Sequence, residues 1–438
     1  MIQNQIKIGI AGLGTVGSGV INLINKNKNE ITERTGCELI VQCISASNKN
    51  KQRSCDVGGI NFYSDPIDML NKESIDIFVE LIGGESIAKD LVVKALEKKV
   101  HVVTANKALI ALHGAEVSEL SLKSEREILY EASVAGAVPI IKVIRESLSA
   151  NNIEWIAGII NGTTNYILTE MLISEKSFDA VLQEAKDLGY AESDPSFDIG
   201  GVDAAHKLTI LASICFGIPL NFQSIYVEGI EEIELEDLKN ARELGYIVKH
   251  LAIARKKDSG IELRVHPSLV PKTRLLANVN GVKNAVVINS DAAGSTLYYG
   301  AGAGSLATAS AVVSDIIDIS RSLAQKENYT IPFLGYKNII PEKNISKISD
   351  VETRYYLRIK VTNKPGVLAD ITKIFGKKSI SIESILQKED AEKDVNVPIV
   401  LVTHKVIEKN IDEALNEIEK LEVVKDKIKR IRIEELNS

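Results

Sequence analysis

The 438-residue sequence is 45% apolar and 25% charged, the balance of a folded protein, and its length suggests roughly two to four domains. Its formal net charge of −7 argues against nucleic acid or an anionic membrane as partner, because phosphate would be repelled rather than neutralised. The four cysteines form no CxxC pair, no apolar run reaches the ~18 residues of a membrane span, and no basic-then-apolar leader is visible, so a cytoplasmic protein without disulfides or zinc is expected.

The first ~135 residues alternate short apolar runs with helical patterns, as βαβ units on a parallel sheet do. Strands are predicted at 6–11, 39–45, 77–81, 100–104 and 128–131, where Ile and Val without clean alternation imply burial on both faces. Beyond residue 137, helical stretches (139–149, 165–174, 178–188, 202–216, 238–246) alternate with strand-like ones (153–160, 249–256, 261–267, 285–290). This reads as an α+β domain with a mostly antiparallel sheet. Residues 310–324 are again helical, and the Lys- and Asn-rich stretch 325–352, with Pro332 and Pro341, reads as a linker. The remainder reads as strand 355–361, helix 367–377, strands 380–387 and 397–405, helix 411–421 and strand 428–433: βαββαβ, the ferredoxin-like order. The expected fold class is α/β. A Rossmann-type domain spans 1–135, completed by 305–325; an α+β domain spans 136–320, a linker 326–352 and a small module 353–438.

Gly12-Leu13-Gly14-Thr15-Val16-Gly17 is a GxGxxG that follows the first strand and opens a helix with Val16, Val20, Leu23 and Ile24 at helical spacing. Such glycines allow a tight turn and close backbone approach, and the helix N-terminus attracts a pyrophosphate. The plainer alternative is a packing turn. The acidic residue usually found about 20 positions on, which would hold a ribose 2′-OH, is missing. The second strand runs instead into 45–53 (SASNKNKQR), whose cations suit a 2′-phosphate, so NADP is favoured over NAD. A basic loop that is merely solvated would read the same way.

Five further segments, in order, resemble the homoserine dehydrogenase family: 79–84 (VELIGG), 102–109 (VVTANKAL), 130–141 (YEASVAGAVPII), 161–166 (NGTTNY), and 188–208, with LGYAESDP at its start and GVDAAHKL at its end. The family usually carries Pro-Thr-Ala after the glycines near residue 302; Ala307-Thr308-Ala309 stands here instead. The resemblance implies NAD(P)-dependent interconversion of L-homoserine and L-aspartate 4-semialdehyde, on the way to threonine, methionine and isoleucine. It makes 136–320 the catalytic and dimerisation domain of a homo-oligomer, dimer or tetramer. It assigns Lys207 as proton donor and places Gly189, Glu192 and Asp203 on the substrate, the two carboxylates facing its ammonium. Glu131, Val134, Gly136 and Val138 map onto a loop that holds a monovalent cation, usually sodium, through backbone carbonyls.

The residues themselves support part of this. An aldehyde reduction needs a proton donor for the developing alkoxide, and a lysine brought toward neutrality by burial can serve in both directions. Lys107 competes with Lys207, since it follows a parallel strand at its carboxyl edge, where ligands bind in open α/β sheets. Asp203 and Lys207 are four apart on a helix, so both project from one face; an ordinary i,i+4 ion pair would look alike. Asp194 and Asp198 also read as turn or cap residues. Gly302 and Gly304 plausibly let backbone approach the nicotinamide, and a flexible loop is their plainer reading.

Residues 363–371 (NKPGVLADI) and 380–384 (ISIES) resemble the ACT domain, a module that binds amino acids, which implies threonine as inhibitor. Two other functions compete with this one. An aspartate-semialdehyde dehydrogenase needs a nucleophilic cysteine, and Cys215 sits in an apolar helical run. A catalytically inactive sensor of nucleotides or amino acids would not need Lys107, Glu192, Asp203 and Lys207.

Overall fold

The computed structural model describes residues 5–325, 331–339, 343–387 and 396–437. Residues 326–330 and 340–342 of the predicted linker, and 388–395 of the predicted C-terminal module, lie outside them. The chain divides into two compact units. One comprises Met1–Glu154, Ala205–Ser224 and Lys283–Lys343; the other comprises Trp155–Ala204, Ile225–Val282 and Asn344–Ser438.

In the first unit six strands, β1 (Gln5–Ala11), β2 (Glu38–Ser45), β3 (Asn61–Tyr63), β4 (Ile77–Glu80), β5 (His101–Thr104) and β6 (Ile128–Leu129), pair in parallel in the order β3-β2-β1-β4-β5-β6. This is the doubly wound order, and its winding reverses between β1 and β4, where ligands bind beyond the strands' carboxyl ends. Ile77, Phe78 and Val79 of β4 are consecutive and fully buried, so both faces of that strand are covered and its sequence does not alternate, whereas in β1 Ile6, Ile8 and Ile10 share one buried face and Lys7 is exposed. Helices Thr15–Lys26 and Ser305–Gln325 share one core with β1 through Val20, Ile24, Val312 and Ile316.

Four details of this unit differ from the sequence reading. Strand β3 is too short to show a pattern, and β6 stops early because Glu131–Ser133 turns as a 3₁₀ helix. The helix predicted at 139–149 loosens over Val143–Ser147 into a π turn, with the Leu148 N–H reaching the Val143 carbonyl at 2.8 Å. Strand Lys283–Ser290 continues into an unpredicted hairpin partner, Gly294–Ala301, whose glycines and half-exposed residues hide its periodicity.

In the second unit strands Ile153–Ile159, Tyr246–Lys257, Gly260–Pro271, Lys429–Ile433, Glu352–Thr362, Asn396–Thr403 and Ile382–Gln387 are neighbours in that order. Pairing is antiparallel, as expected, except that Lys429–Ile433 and the short Tyr226–Val227 run parallel to Gly260–Pro271. Residues 352–433 show the predicted βαββαβ order, with helix Val367–Lys377 falling where the periodicity put it. The helix predicted at 411–421 begins earlier, at Glu408. Glu408 is buried because Arg432, itself fully buried, donates from Nε to its Oε2 at 2.9 Å and from Nη1 to Glu228 Oε2 at 2.7 Å. Among the described residues no helix is long and apolar enough to cross a membrane.

Candidate active site

The fingerprint glycines occupy three different environments at the end of β1. Gly12 has φ of +100°, and a side chain there would meet the Leu81 carbonyl oxygen at 2.4 Å. A Cβ on Gly17 would lie 2.2 Å from the Gly12 carbonyl oxygen. Gly14, with φ of −88°, faces open space. The turn, the bare backbone face and the tight helix–strand contact are thus divided among Gly12, Gly14 and Gly17. Leu13, Thr15 and Val16 carry the chain into helix Thr15–Lys26. No side chain caps that helix at Gly14, which leaves its positive end for a ligand or water.

The predicted glycine loop is brought to this helix. Ser305, one residue after Gly304, donates from Oγ to the Thr15 carbonyl at 2.8 Å. The basic loop after β2 is folded differently from expectation: Arg53 donates to its own loop's carbonyls, Lys49 O at 3.1 Å and Lys51 O at 2.8 Å. It serves as a clamp for that loop.

At the carboxyl ends of β4 and β5 a polar frame precedes Lys107 in the chain. Glu80, fully buried, accepts the N–H groups of Ile82 (2.9 Å) and Gly83 (3.0 Å) and the Thr104 hydroxyl (2.6 Å). Asn106 donates to the Gly84 carbonyl at 2.7 Å and caps helix Lys107–Ser124 by accepting from Leu109 N at 3.1 Å. Lys107, half-buried, is the first residue of that helix. Glu80, Thr104 and Asn106 have no role in the sequence reading; polar residues ending apolar runs were the available signal.

The segment from Glu131 to Val138 turns sharply, and Gly136 has φ of +56°. A Cβ at Gly136 would stand 2.5 Å from the Gly302 carbonyl oxygen and 2.9 Å from that of Ala301, so backbone oxygens converge on this turn. Glu131 is buried, and its two carboxylate oxygens accept the N–H groups of Ile141 (2.9 Å) and Lys142 (2.8 Å). Burial, reinforced by the neighbouring Asp315 carboxylate, pushes its carboxyl up to about 7. Its side chain is therefore a helix cap. Among the described residues no group of three or more His, Cys, Asp or Glu side chains could hold a metal ion.

The second unit gathers the carboxylates. Gly189 follows helix Phe178–Asp187 with φ of +74°, and both it and Glu192 are exposed. Asp203 is buried near the start of helix Val202–Phe216, and Lys207, half-buried, lies one turn further along that helix. Asn161, buried, donates from Nδ2 to Asp198 Oδ1 and to Asp203 Oδ2, both at 2.8 Å. Thr163 Oγ1 donates to the Tyr190 carbonyl at 2.7 Å and lies 3.4 Å from Asp198 Oδ2. Asn161 and Thr163 therefore link Asp203 to the chain beside Gly189. Asp194 accepts the Ser196 N–H at 3.1 Å as a turn residue, and Asp198, within the short helix Ser196–Ile199, accepts from Asn161. Helix Gly162–Ser174 starts three residues before its predicted start because Asn161 is its N-cap, accepting Thr164 N at 2.9 Å. Burial pulls Lys249, a residue not singled out by sequence, down to about 8. Asn165 Oδ1, Asn280 Oδ1 and the Val279 carbonyl accept from its ammonium.

The model of the family "Homoserine dehydrogenase" matches residues 139–317, that of "Homoserine dehydrogenase, NAD binding domain" residues 12–131, and that of "ACT domain" residues 355–423. The chain is 51% identical to a homoserine dehydrogenase of Pseudomonas aeruginosa, over 99% of this chain and 100% of that one. A solved homoserine dehydrogenase from Thiobacillus denitrificans matches with a TM-score of 0.93 at 48% identity, covering 99% of each chain. A hyperthermophilic archaeal homoserine dehydrogenase in complex with NADPH matches with a TM-score of 0.60 at 27% identity, covering 77% of this chain and 100% of that one. With the doubly wound sheet, its glycine turn and the Asp203–Lys207 helix, these matches show that the chain belongs to the homoserine dehydrogenase family, oxidoreductases with an NAD(P)-binding domain, and that it carries an ACT domain.

Proposed function

We propose that Lys207 moves the proton in the interconversion of L-homoserine and L-aspartate 4-semialdehyde, while Asp203 and Glu192 hold the substrate ammonium and Gly189 offers backbone beside it. The observation that carries this reading is Asp203: a carboxylate buried and held by an amide, one helical turn from a half-buried lysine. A compact cation calls for such paired carboxylates, and a lysine at one-turn spacing can reach the same small molecule. The nicotinamide, when bound, supplies or accepts the hydride. In the reducing direction Lys207 gives its proton to the carbonyl oxygen as the alcohol forms; in the oxidising direction its neutral amine takes the hydroxyl proton. Lys107 positions substrate and cofactor from the end of β5, beside the frame of Glu80 and Asn106.

Gly12, Leu13, Gly14, Thr15, Val16 and Gly17 would hold the cofactor's pyrophosphate, and Gly302 and Gly304 would offer it further backbone. NADP is the preferred form, supported by the missing acidic residue after β2 and by Lys49 and Lys51 on a loop held in shape by Arg53. The carbonyls of Glu131, Val134, Gly136 and Val138 would hold a monovalent cation, sodium, and fix this turn. The crowding of backbone oxygens about Gly136 fits that donor set. Threonine inhibits through residues 353–438, and the protein acts as a homo-oligomer. The division into 1–135 with 305–325, 136–320, 326–352 and 353–438 is retained as the functional one.

The test follows NADPH and NADH consumption with aspartate semialdehyde for wild type, Lys207→Ala and Lys107→Ala. Lys207→Ala is expected to lose at least a hundredfold in kcat, the usual scale of a proton-transfer group. Unchanged turnover in that variant would overturn its role, and a strong preference for NADH would overturn the basic-loop argument.

A further inference from the structure

We infer that Asn161 is a positioning residue for the substrate carboxylates: its side-chain amide cross-links Asp198 and Asp203 and so fixes how Asp203 is presented to the substrate ammonium. This deepens the reading proposed above and rests on Asp203 binding that group. Asn161 is buried, and both of its carboxylate contacts run from the same nitrogen, Nδ2, at 2.8 Å to Asp198 Oδ1 and 2.8 Å to Asp203 Oδ2. An amide nitrogen carries two hydrogens, and here each has an acceptor. The amide cannot turn over. Its Oδ1 accepts the Thr164 N–H at 2.9 Å, and the flipped amide would set that oxygen against two carboxylate oxygens and a nitrogen against an N–H.

The arrangement has three consequences. Two carboxylates are kept together, which like charges would otherwise oppose. Hydrogen bonds to a carboxylate favour its charged form, the form an ammonium needs. The clamp is also built on a helix N-terminus, so its position follows helix Gly162–Ser174 rather than a loose loop. Thr163, the second residue of that helix, extends the frame by donating to the Tyr190 carbonyl at 2.7 Å, beside Gly189. Asn161 itself touches neither the hydride path nor the proton path in this scheme, so its loss should act on substrate binding.

The test separates clamp from cap. Asn161→Ser keeps a good N-cap acceptor for Thr164 N but removes the two-hydrogen amide. Asn161→Asp keeps shape and cap but places a third carboxylate against the other two. Each is assayed at saturating cofactor for KM of homoserine, KM of cofactor, kcat and melting temperature, beside Asp203→Asn. The expected result for Asn161→Ser is a melting temperature close to wild type, an unchanged cofactor KM, a homoserine KM raised at least tenfold and kcat within about threefold. Asn161→Asp should raise the homoserine KM further. If Asp203→Asn raises the homoserine KM and Asn161→Ser does not, the clamp is refuted while the substrate site stands. If Asp203→Asn leaves that KM unchanged, the site reading itself fails and this inference with it.

Discussion

A pair of alanine substitutions in the glycine turn should separate its binding role from its folding role. At Gly14 the backbone is extended, with φ of −88° and ψ of −151°, and a methyl group would have nothing within 4 Å. Gly14→Ala should therefore fold at least as well as wild type, with a gain of roughly 0.4–1 kcal/mol from the stiffer unfolded chain. The methyl nevertheless covers the backbone face at which a pyrophosphate would lie, and cofactor affinity should fall at least tenfold, about 1.4 kcal/mol. At Gly17 the added Cβ would stand 2.2 Å from the Gly12 carbonyl oxygen, more than an ångström inside an ordinary contact, and that atom belongs to backbone. Relief requires helix Thr15–Lys26 to shift from β1, at a cost of about 1–3 kcal/mol on the scale of overpacked cores. Thermal melting with and without NADPH, together with fluorescence titration of the nucleotide, reads both effects. Equal destabilisation by the two variants, or full cofactor affinity in Gly14→Ala, would refute this division of labour.

Three other outcomes are expected. Burial holds His250, whose Nε2 lies 2.9 Å from the Glu228 carbonyl, down at about 4. The unfolded chain then binds the proton more readily, so this contribution is intact above pH 6.5 and is lost as pH falls toward 4, by a few kcal/mol. His250→Gln should lose less stability than wild type between pH 7 and 4.5 in urea melts, and equal losses would contradict the assignment. Arg432→Met leaves the buried Glu408 carboxylate with only the Tyr355 hydroxyl and the more distant Arg430, and should cost up to about 3–5 kcal/mol, much of it recovered by adding Glu408→Gln; urea midpoints that barely move would show the pair is not structural. Threonine at millimolar concentration should lower turnover and raise the melting temperature, and a flat titration in both readouts would remove it as effector.

The parallel sheet was legible because its strands are continuous apolar runs bounded by glycine and polar residues, and the fingerprint could be read because its context, strand then helix, is local. The βαββαβ order was legible for the same reason: each element there carries its own period. Local signal does not reach β3, three residues long, or strand Gly294–Ala301, which is half-exposed along its length. At the candidate site Asp203 and Lys207 could be paired from their spacing alone, since one helix carries both. The link from Asn161 to Asp198 and Asp203 could not, because it joins residues 37 and 42 positions apart through a single side chain. The contacts of Arg53 were equally out of reach: a cation in a loop reads as a ligand group, and the loop carbonyls it donates to are visible only in the fold.

Strand Lys429–Ile433 lies between Gly260–Pro271 on one side and Glu352–Thr362 on the other. Its partner Gly260–Pro271 is made much earlier in the chain, so this edge must wait through the synthesis of everything in between before it is covered. Until then the stretch of that strand around Ser268 and Leu269 stands open, and Arg264, whose backbone already has Tyr226 beside it, lacks the Glu434 carboxylate that later pairs with its guanidinium. Pairing over such sequence separation is slow, and the interval is when a nascent chain is most exposed to mispairing with its neighbours. The ACT domain thereby has a task besides any ligand it binds: it completes the sheet of the domain that precedes it.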